Sequence, residues 1–393
     1  MGTMTHRERV TAALNHEEPD RIPIDFGTIA SAIDNKAYAR LVELLGRTEE
    51  LERLDLNDPL NPSKDVTPSE EVLTMFGVDT RAVHADAPID SQALVRHQID
   101  DYTYRDEWGV IWKMPVHEDG PYMYKEGPFQ KGDITMADIE RYDWPDAESE
   151  HRTSGLRDRA RKLHEETDYA IVLSVGHSSL APSQRLRGFA EFMEDLALQP
   201  ELAEALLEHV TDVTVRSTTA MLKEAGEYVD VVSFADDLGF QDRAYFRDEM
   251  FRKQVKPHLA RCVEAIHANT DAKAVMHSDG AIYDLIPDLI DIGVDAVNPV
   301  QTTAWSMDAV KLKAEFGDKL GFWGAVDTQH ALPFGSPEDV RNDVRAKIET
   351  LGRGGGYVIT SCHTIREEVP AENVRALYES ALEFGSYDRA ELR

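Results

Sequence analysis

The feature that most constrains the fold of this chain is a series of short apolar runs that alternate with stretches where apolar residues recur at helical spacing. The runs are Arg21–Phe26, Thr80–Asp86, Tyr169–Val175, Val231–Ala235, Ala274–Met276, Val294–Val297, Leu320–Trp323 and Tyr357–Thr360. Alternation of this kind is typical of parallel strands in βα units. Eight such units predict an α/β protein built on a (β/α)8 TIM-type barrel.

One segment departs from this pattern. Between about residues 102 and 146, aromatic side chains alternate with polar ones, as at Tyr102, Tyr104 and Trp112, and glycine-proline turns follow at 119–121 and 127–128. Alternation with a period of two between turn signals predicts antiparallel strands. We therefore expect one barrel over residues 1–393, with an antiparallel hairpin inserted at about 102–146.

The charge of the chain limits its partners. The 393 residues carry a net charge of −31, which disfavours nucleic acid and anionic membrane surfaces because both are negative. No apolar stretch approaches the roughly 18 residues that a membrane-spanning helix needs, and the polar stretch Met1–Val10 lacks the apolar core of a secretory signal. We expect a cytoplasmic protein, and its acidic surface is compatible with a homodimer joined by an apolar patch.

Polar side chains capable of chemistry follow the carboxyl ends of the predicted strands. They are His177, Asp236, Asp237, His277, Asp279, Asn298, Gln301, Asp327, Cys362 and His363. The carboxyl ends of the strands are where barrel enzymes build their active sites. This distribution predicts an enzyme that acts on a small molecule.

The strongest candidate for a metal site follows the fifth run, where one residue separates His277 from Asp279. Side chains in this relation just past a strand can point into the same cavity, and imidazole and carboxylate groups both bind zinc and other divalent ions. Cys362 or His363, after the last run, could supply a third ligand. Two structural alternatives stay open: His277 and Asp279 hydrogen-bond to each other, or Asp279 caps a helix that starts near Ala281.

The adjacent acids Asp236 and Asp237 follow the fourth run. Neighbouring carboxylates need partners, so we expect one to be held by backbone amides or an arginine while the other acts as acid, base or ligand. Capping of the following helix is the structural alternative.

Of two glycine-containing segments, one is a candidate for anion binding. His177 lies in a loop rich in glycine and serine, and such loops can present backbone N–H groups to an anion. The stretch Gly352–Gly356 precedes the last run. It is therefore expected at the amino-terminal face of the barrel, as a turn and not as a phosphate site.

The longer motifs resemble the uroporphyrinogen decarboxylase superfamily. The similarity rests on Arg7–Val10, Pro19–Pro23, His277–Gly280, Leu285–Ile290, Gly293–Gln301, Phe322–Asp327 and Gly354–Tyr357. It covers nearly the whole chain and is weaker from Asp55 to Asp146. The resemblance implies a (β/α)8 barrel, in agreement with the strand count, and one of two chemistries.

The first chemistry is decarboxylation. The true decarboxylases of this superfamily remove carboxyl groups from a tetrapyrrole without a cofactor, and they hold its carboxylates with an arginine-rich motif after the first strand. The matching stretch here, Phe26–Ser31, contains no arginine. Without that motif, an octa-anionic substrate meets unfavourable electrostatics on so acidic a chain. Asp86 and His363 match two residues of the decarboxylase site.

The second chemistry is methyl transfer to or from a corrinoid protein. The resemblance to this branch implies zinc bound by a His-x-Cys pair and a later Cys. His277 occupies the histidine position, Asp279 replaces the first cysteine, and Cys362 or His363 falls at the later position. It also implies methylcobalamin on a separate corrinoid protein, because this chain has no cobalamin-binding Asp-x-His-x-x-Gly motif.

Methyl transfer is the interpretation that we favour, and the harder ligand set suggests an oxygen substrate such as a methoxy compound. Decarboxylation of a tetrapyrrole or other carboxylate, a non-catalytic tetrapyrrole or corrinoid carrier, and another metal-dependent lyase or hydrolase stay open. The candidate site residues have three roles. They are the catalytic residues Asp86, Asp236, Asp237 and His363, the metal ligands His277, Asp279 and Cys362, and the cofactor-binding residues His177, Asn298, Gln301 and Trp323.

Overall fold

The structure is a computed structural model that describes residues 4–54, 65–84, 97–100, 102–113 and 123–387. Its strands are β1 Ile33–Asp34, β2 Asp65–Val66, β3 Thr80–Val83, β4 His97–Asp100, β5 Thr103–Arg105, β6 Ile111–Lys113, β7 Met123–Glu126, β8 Ala170–His177, β9 Val231–Ala235, β10 Lys273–His277, β11 Ala296–Asn298, β12 Gly321–Val326 and β13 Tyr357–Ser361. Its α-helices span His6–Leu14, Asn35–Leu44, Glu70–Met75, Met136–Glu140, Leu156–Glu166, Leu180–Arg187, Phe189–Leu198, Pro200–Ala225, Asp248–Met250, Lys256–His267, Ile286–Asp291, Ala309–Phe316, Ala331–Phe334, Pro337–Leu351 and Ala371–Phe384. Short 3-10 helices span Thr48–Arg53, Glu150–Arg152 and Tyr283–Leu285, and a π-helical turn spans Phe251–Val255. Among these described helices, none combines the length and the apolar character that crossing a membrane requires.

Seven of the strands form one parallel sheet, in the order β13-β12-β11-β10-β9-β8-β3. Each of the seven coincides with one of the apolar runs, so the predicted α/β fold with a parallel sheet is confirmed. Consecutive strands from β8 to β13 are neighbours in the sheet, and helices lie between them in sequence. This is the arrangement of a (β/α) barrel.

The one remaining apolar run, Arg21–Phe26, which is the first along the chain, lies between the two edge strands of this sheet. The Asp25 N–H donates to the Ile359 carbonyl in β13 at 3.0 Å, and the Ile359 N–H donates to the Pro23 carbonyl at 2.9 Å. On the other side, the Asp79 N–H just before β3 donates to the Ile24 carbonyl at 2.8 Å. Pro23 has no N–H to donate, which interrupts a regular ladder. The run therefore joins β13 to the β3 edge and closes the barrel, although it is not a regular strand.

The barrel interior is filled by small and branched side chains together with Trp323. One buried cluster joins inward-facing residues of β8 to β13 with Ile29 and with two residues of the first helix: Val10, Leu14, Ile29, Ala170, Val172, Val231, Val275, Ala296, Trp323 and Val358. The first helix begins after Thr5, which forms a capping box with Glu8. It covers the amino-terminal end of the barrel, and the Gly356 N–H donates to its Ala13 carbonyl at 2.8 Å. The glycine-rich turn therefore lies at that end, as expected.

A buried carboxylate ties this end of the barrel together. Asp79 is fully buried and accepts from Arg9 Nη1 at 2.6 Å and from Arg21 Nη1 at 2.7 Å, with His6 Nδ1 at 2.6 Å. Burial alone would raise the pKa of the Asp79 carboxyl, but His6 and the two arginines hold it below its usual value. The first helix, the closing segment and β3 are thus joined through one side chain.

The inserted segment is larger than the predicted hairpin. It forms a four-stranded antiparallel sheet in the order β4-β5-β6-β7. Strand β4 is exposed at all four positions and has a single apolar residue, Ile99, so it lacks the alternation that marks β5 and β6 in the sequence. Tyr104, Trp112 and Tyr124 are paired across the sheet and form an aromatic row on one face.

Candidate metal centre

Three potential metal ligands converge at the carboxyl end of the barrel. His277 is the last residue of β10, Asp279 lies in the loop that follows, and His363 comes two residues after β13. Asp279 Oδ2 lies 4.0 Å from His277 Nε2 and 3.7 Å from His363 Nε2. The ligand atoms of the three residues all lie within 4.8 Å of one another. Closure of the barrel therefore gathers the loops of two strands that are not neighbours in the sheet.

Asn298 orients the His277 ring. Strands β10 and β11 are paired so that His277 lies beside Asn298, and His277 Nδ1 is 2.7 Å from Asn298 Oδ1. The Asn298 amide nitrogen faces the Trp323 carbonyl at 3.5 Å, which leaves the amide oxygen toward the imidazole. His277 thus carries its proton on Nδ1 and turns the Nε2 lone pair toward Asp279 and His363. A metal-binding histidine commonly has this second partner.

The loop that carries Asp279 is held by two polar residues. The Asp279 N–H donates to Asp237 Oδ1 at 3.0 Å, and the Gly280 N–H donates to Gln301 Oε1 at 2.8 Å. Gln301 in turn donates to Gln241 Oε1 at 2.7 Å. Asp237 and Gln301, predicted to be catalytic and cofactor-binding, therefore also fix the position of the candidate ligand loop.

The geometry argues against the two structural alternatives for the His277 and Asp279 pair. Their nearest nitrogen and oxygen atoms are 4.0 Å apart, which is too long for a hydrogen bond. Asp279 does not cap a helix near Ala281 either, because the next helical turn is the short Tyr283–Leu285. The pair is therefore free to face a ligand shared with His363.

His363 and Cys362 differ sharply in their surroundings. The Cys362 thiol is buried and lies 4.0 Å from the Val300 carbonyl. Burial raises the pKa of this thiol well above its usual value, so it stays protonated at neutral pH. Among the described residues, the cluster of ligand atoms contains His363 and does not contain Cys362.

The protonation of His363 matters for metal binding. Burial is the main cause that lowers the pKa of His363 to about 4, with a contribution from His277. His363 is therefore neutral at pH 7, as a metal ligand must be. The Thr364 N–H donates to His363 Nδ1 at 2.8 Å, which places the proton on Nε2. Coordination through Nε2 would require that proton to leave.

Asp279 is the only carboxylate of the cluster. Burial raises the pKa of Asp279 to about 6, and the neighbouring charge of Asp237 acts in the same direction while His277 opposes it. A bound cation would reverse this balance by favouring the carboxylate. Two imidazoles and one carboxylate are a donor set that suits zinc and also iron(II). The residues present therefore fit a divalent metal.

Asp236 has a different role from its neighbour. It is fully buried, and its carboxylate accepts from the N–H groups of Ser179, Leu180 and Ala181 at 3.0, 2.8 and 2.7 Å. Burial raises the pKa of Asp236 to about 6, while these hydrogen bonds lower it. The expectation that one of the paired acids is held by backbone amides is confirmed for Asp236, which anchors the helix Leu180–Arg187.

The remaining predicted site residues are distributed as follows. His177 ends β8 and lines a cavity at the barrel mouth. Trp323 is fully buried inside the barrel, where its indole N–H donates to Asp25 Oδ2 at 3.1 Å, so the structure does not bring it to the cluster. Asp86 lies outside the described residues.

Arg185 is a residue of this cavity that no pattern in the sequence indicates. This arginine lines the same cavity as His177, from the helix Leu180–Arg187. It is one of two arginines in that helix, and nothing in the local sequence distinguishes it from Arg187. Only the packing of the inserted sheet against the barrel mouth shows that it faces a cavity.

Polar residues at the strand ends of a (β/α) barrel, with three potential metal ligands among them, define the architecture of a barrel enzyme. The family model for uroporphyrinogen decarboxylase (URO-D) matches residues 121–384. The chain therefore belongs to the uroporphyrinogen decarboxylase family, whose superfamily consists of enzymes.

Known proteins of two kinds are similar to this chain. The uroporphyrinogen decarboxylase of Mannheimia succiniciproducens is 22% identical over 267 residues, which are 65% of this chain and 71% of that protein. The uroporphyrinogen decarboxylase of Aromatoleum aromaticum is 27% identical over 182 residues, 44% of this chain and 47% of that protein. Among solved structures, a methyltransferase from Methanosarcina mazei covers 97% of this chain and 99% of its own, with a TM-score of 0.65 and 19% identity. At this identity the last similarity shows a shared fold.

Proposed function

We propose that this protein transfers a methyl group between a small molecule and a separate corrinoid protein, at a divalent metal site formed by His277, Asp279 and His363. The observation that carries the proposal is the convergence of these three ligand atoms together with the hydrogen bond between His277 Nδ1 and Asn298. A decarboxylase that works without a cofactor has no need of an imidazole oriented in this way. The fold shared with the Methanosarcina mazei methyltransferase supports the same branch.

Zinc held by these residues would lower the pKa of a bound thiol or hydroxyl group and so make its sulfur or oxygen more reactive. The contribution of the protein is to fix the ligands. Asn298 sets the tautomer of His277, and Asp237 holds the Asp279 backbone in place. Cys362 is too deeply buried to serve as the third ligand without movement, which is why we assign that role to His363.

The surroundings of the barrel mouth support a protein partner. Phe189, Phe240 and Trp305 are 40%, 39% and 71% exposed. The centres of the Phe189 and Phe240 rings are 6.0 Å apart. The backbone N–H of Trp305 donates to the backbone carbonyl of Gln241, the residue after Phe240. Exposed aromatic groups are enriched where proteins associate. We assign this patch to the corrinoid protein, whose cobalamin must come close to the metal cluster.

Decarboxylation is the second candidate function, because the curated relatives described above carry that name. The residues of the loop Phe26–Ser31 argue against decarboxylation. It contains no arginine, and its Thr28 and Ser31 hydroxyls donate to Asp25 at 2.6 and 2.7 Å. The decarboxylases hold substrate carboxylates with arginine at this place, so a tetrapyrrole with many carboxylates would find no cation in this loop.

A direct assay tests the proposal. Zinc-loaded protein is incubated with cob(I)alamin and a panel of methoxy and methylthio compounds, and the absorbance change on formation of methylcobalamin is followed. We expect turnover with at least one donor and its loss in His277→Ala. His330→Ala is the matched control, because His330 is an exposed histidine far from the cluster in sequence. Turnover of uroporphyrinogen by metal-free protein, with no methyl transfer, would contradict the proposal.

A further inference from the structure

A cavity of about 220 Å³ opens at the barrel mouth between the end of β8 and the inserted antiparallel sheet. Its wall is partly apolar, with Trp108, Val110, Pro182 and Val213. The polar part contains His177, Arg185, Asp106, Glu107 and Arg152, of which Glu107 and Arg152 form an ion pair with each other. A space of this size is below the range of sites for drug-sized ligands, so it suits a small molecule.

Arg185 brings a positive charge to this cavity without a matching ion pair. Among the described residues, no carboxylate oxygen lies within 4.0 Å of its side-chain nitrogens. Its guanidinium carbon lies 5.3 Å from the centre of the Trp112 ring. Arg187 in the same helix is different, since it is paired with Asp195 at 2.6 Å and donates to the Phe129 carbonyl at 2.7 Å.

The carboxylates whose charges act on Arg185 accept hydrogen bonds from other groups. Burial lowers the pKa of Arg185, and the charges of Asp236, Asp106 and Asp237 act in the opposite direction. Asp106 accepts from the Trp112 indole N–H at 2.7 Å and from two backbone N–H groups at 2.9 Å. Asp236 accepts from the helix amides and Asp237 from the Asp279 N–H. Within the described ranges the Arg185 guanidinium thus lines the cavity without an ion-paired carboxylate, and its N–H groups can donate to a ligand there.

His177 lies at the same level of the barrel as the metal cluster, because it is paired with Ala235 in β9, which is paired with His277 in β10. Its Nδ1 atom is buried and has no hydrogen-bond partner among the described residues. Burial lowers the pKa of His177 to about 3, and the charges of Arg185 and His277 lower it further, so both groups act on this ring.

We propose that this cavity binds the carboxylate of a small organic substrate, with Arg185 as its bidentate partner. A planar guanidinium matches the two oxygens of a carboxylate. The apolar wall takes the body of the molecule, which extends toward His277. This inference rests on the proposed function, because it names the substrate class as a methylated carboxylic acid with an apolar body.

Calorimetry with a matched pair of probes tests the inference. The purified protein, with and without zinc, is titrated with 4-methoxybenzoate and with 4-methoxybenzamide, which differ only in the charged group. We expect the carboxylate to bind about tenfold to a hundredfold more tightly, as charge-assisted hydrogen bonds usually require. Arg185→Gln should remove this preference, and Arg185→Lys should restore part of it. Arg216→Gln, at an exposed arginine of the helix Pro200–Ala225, should leave it unchanged.

Equal binding of the two probes, binding of neither, or a preference that survives in Arg185→Gln would overturn the inference. Melting temperatures of the variants separate a lost contact from a lost fold, and the comparison of probes on the unaltered protein needs no variant. The carboxylate preference is measured without turnover and also without metal. A preference for the carboxylate in a protein that never binds metal would therefore refute the proposed function alone, and metal binding without the preference would refute only the carboxylate site.

Discussion

Asn298 acts on the candidate metal site through another residue. It is fully buried, and its amide oxygen fixes the ring of His277 while its amide nitrogen faces the Trp323 carbonyl. The sequence places Asn298 correctly at a strand end, but its partner depends on the pairing of β10 with β11.

The roles of Asp236 and Asp237 are likewise not predictable from the sequence alone. The two acids are adjacent in sequence, and only the structure reveals that one anchors a helix and the other holds the Asp279 backbone.

Replacement of Asn298 tests its role as a positioning residue. Asn298→Ala should weaken zinc binding about 10- to 100-fold, because His277 loses the acceptor that fixes its tautomer. Asn298→Asp should recover most of the affinity, since it keeps an acceptor oxygen at the same place. Zinc affinity is measured by competition with a chelator. Asn269→Ala, which removes a local hydrogen bond at a helix end, is the control. Equal affinities in all four proteins would contradict the role.

At the scale of elements, the loop after β10 depends on a close approach of two backbones. Gly280 has φ +89°, and a Cβ atom at this residue would lie 2.2 Å from the Gly239 carbonyl oxygen. The loop after β9 is thus pressed against the loop that carries Asp279. This contact fixes one candidate ligand relative to β9, and only glycine permits it.

The substitution Gly280→Ala should therefore displace the Asp279 loop. We expect a clear loss of zinc affinity together with a loss of stability larger than the roughly 1–2 kcal/mol of backbone strain alone. Gly354→Ala is the matched control, because Gly354 also has a positive φ of +72° but a Cβ there would meet nothing within 4 Å. Urea unfolding and chelator competition measure both effects. Equal zinc affinities and equal free energies of unfolding in the two variants would contradict this role of Gly280.

Asp79 joins the first helix, the closing segment Arg21–Phe26 and β3. Asp79→Asn should lower the free energy of unfolding by about 3–5 kcal/mol, since it leaves buried arginines without their counter-charge. Asp271→Asn, at an exposed aspartate, should change it little. Urea unfolding at pH 7 measures the difference.

The pH dependence of this effect follows from the lowered pKa of Asp79 in the folded protein. A carboxyl whose pKa is lower when folded stabilises the protein above its unfolded value, about 3.9, and this contribution is lost as the pH falls through the folded value. The difference between the native protein and Asp79→Asn should therefore be constant near neutrality and shrink below about pH 4. A difference that grew on acidification would contradict the assignment.

For the whole molecule, the sequence determines the barrel more completely than it determines the site. All eight apolar runs lie around the barrel, because a strand buried on both faces needs a continuous apolar run whatever its neighbours are. Strand β4 was not predicted, since its four exposed residues include a single apolar one, Ile99, and show no periodic pattern. Arg185 was also missed, because its significance comes from a cavity between distant segments. Whether Cys362 or His363 is the third metal ligand depends on which of the two side chains points out of the core. The sequence pattern at the end of a strand does not predict that direction.

The central claim is that His277, Asp279 and His363 hold a divalent metal ion. Elemental analysis of the purified protein beside His277→Ala, His363→Ala, Cys362→Ala and His330→Ala tests it most directly. We predict about one zinc ion per chain in the native protein, in Cys362→Ala and in His330→Ala, and little or none in the other two variants. The absence of metal from the native protein after reconstitution with zinc, or full occupancy in His277→Ala, would contradict the claim.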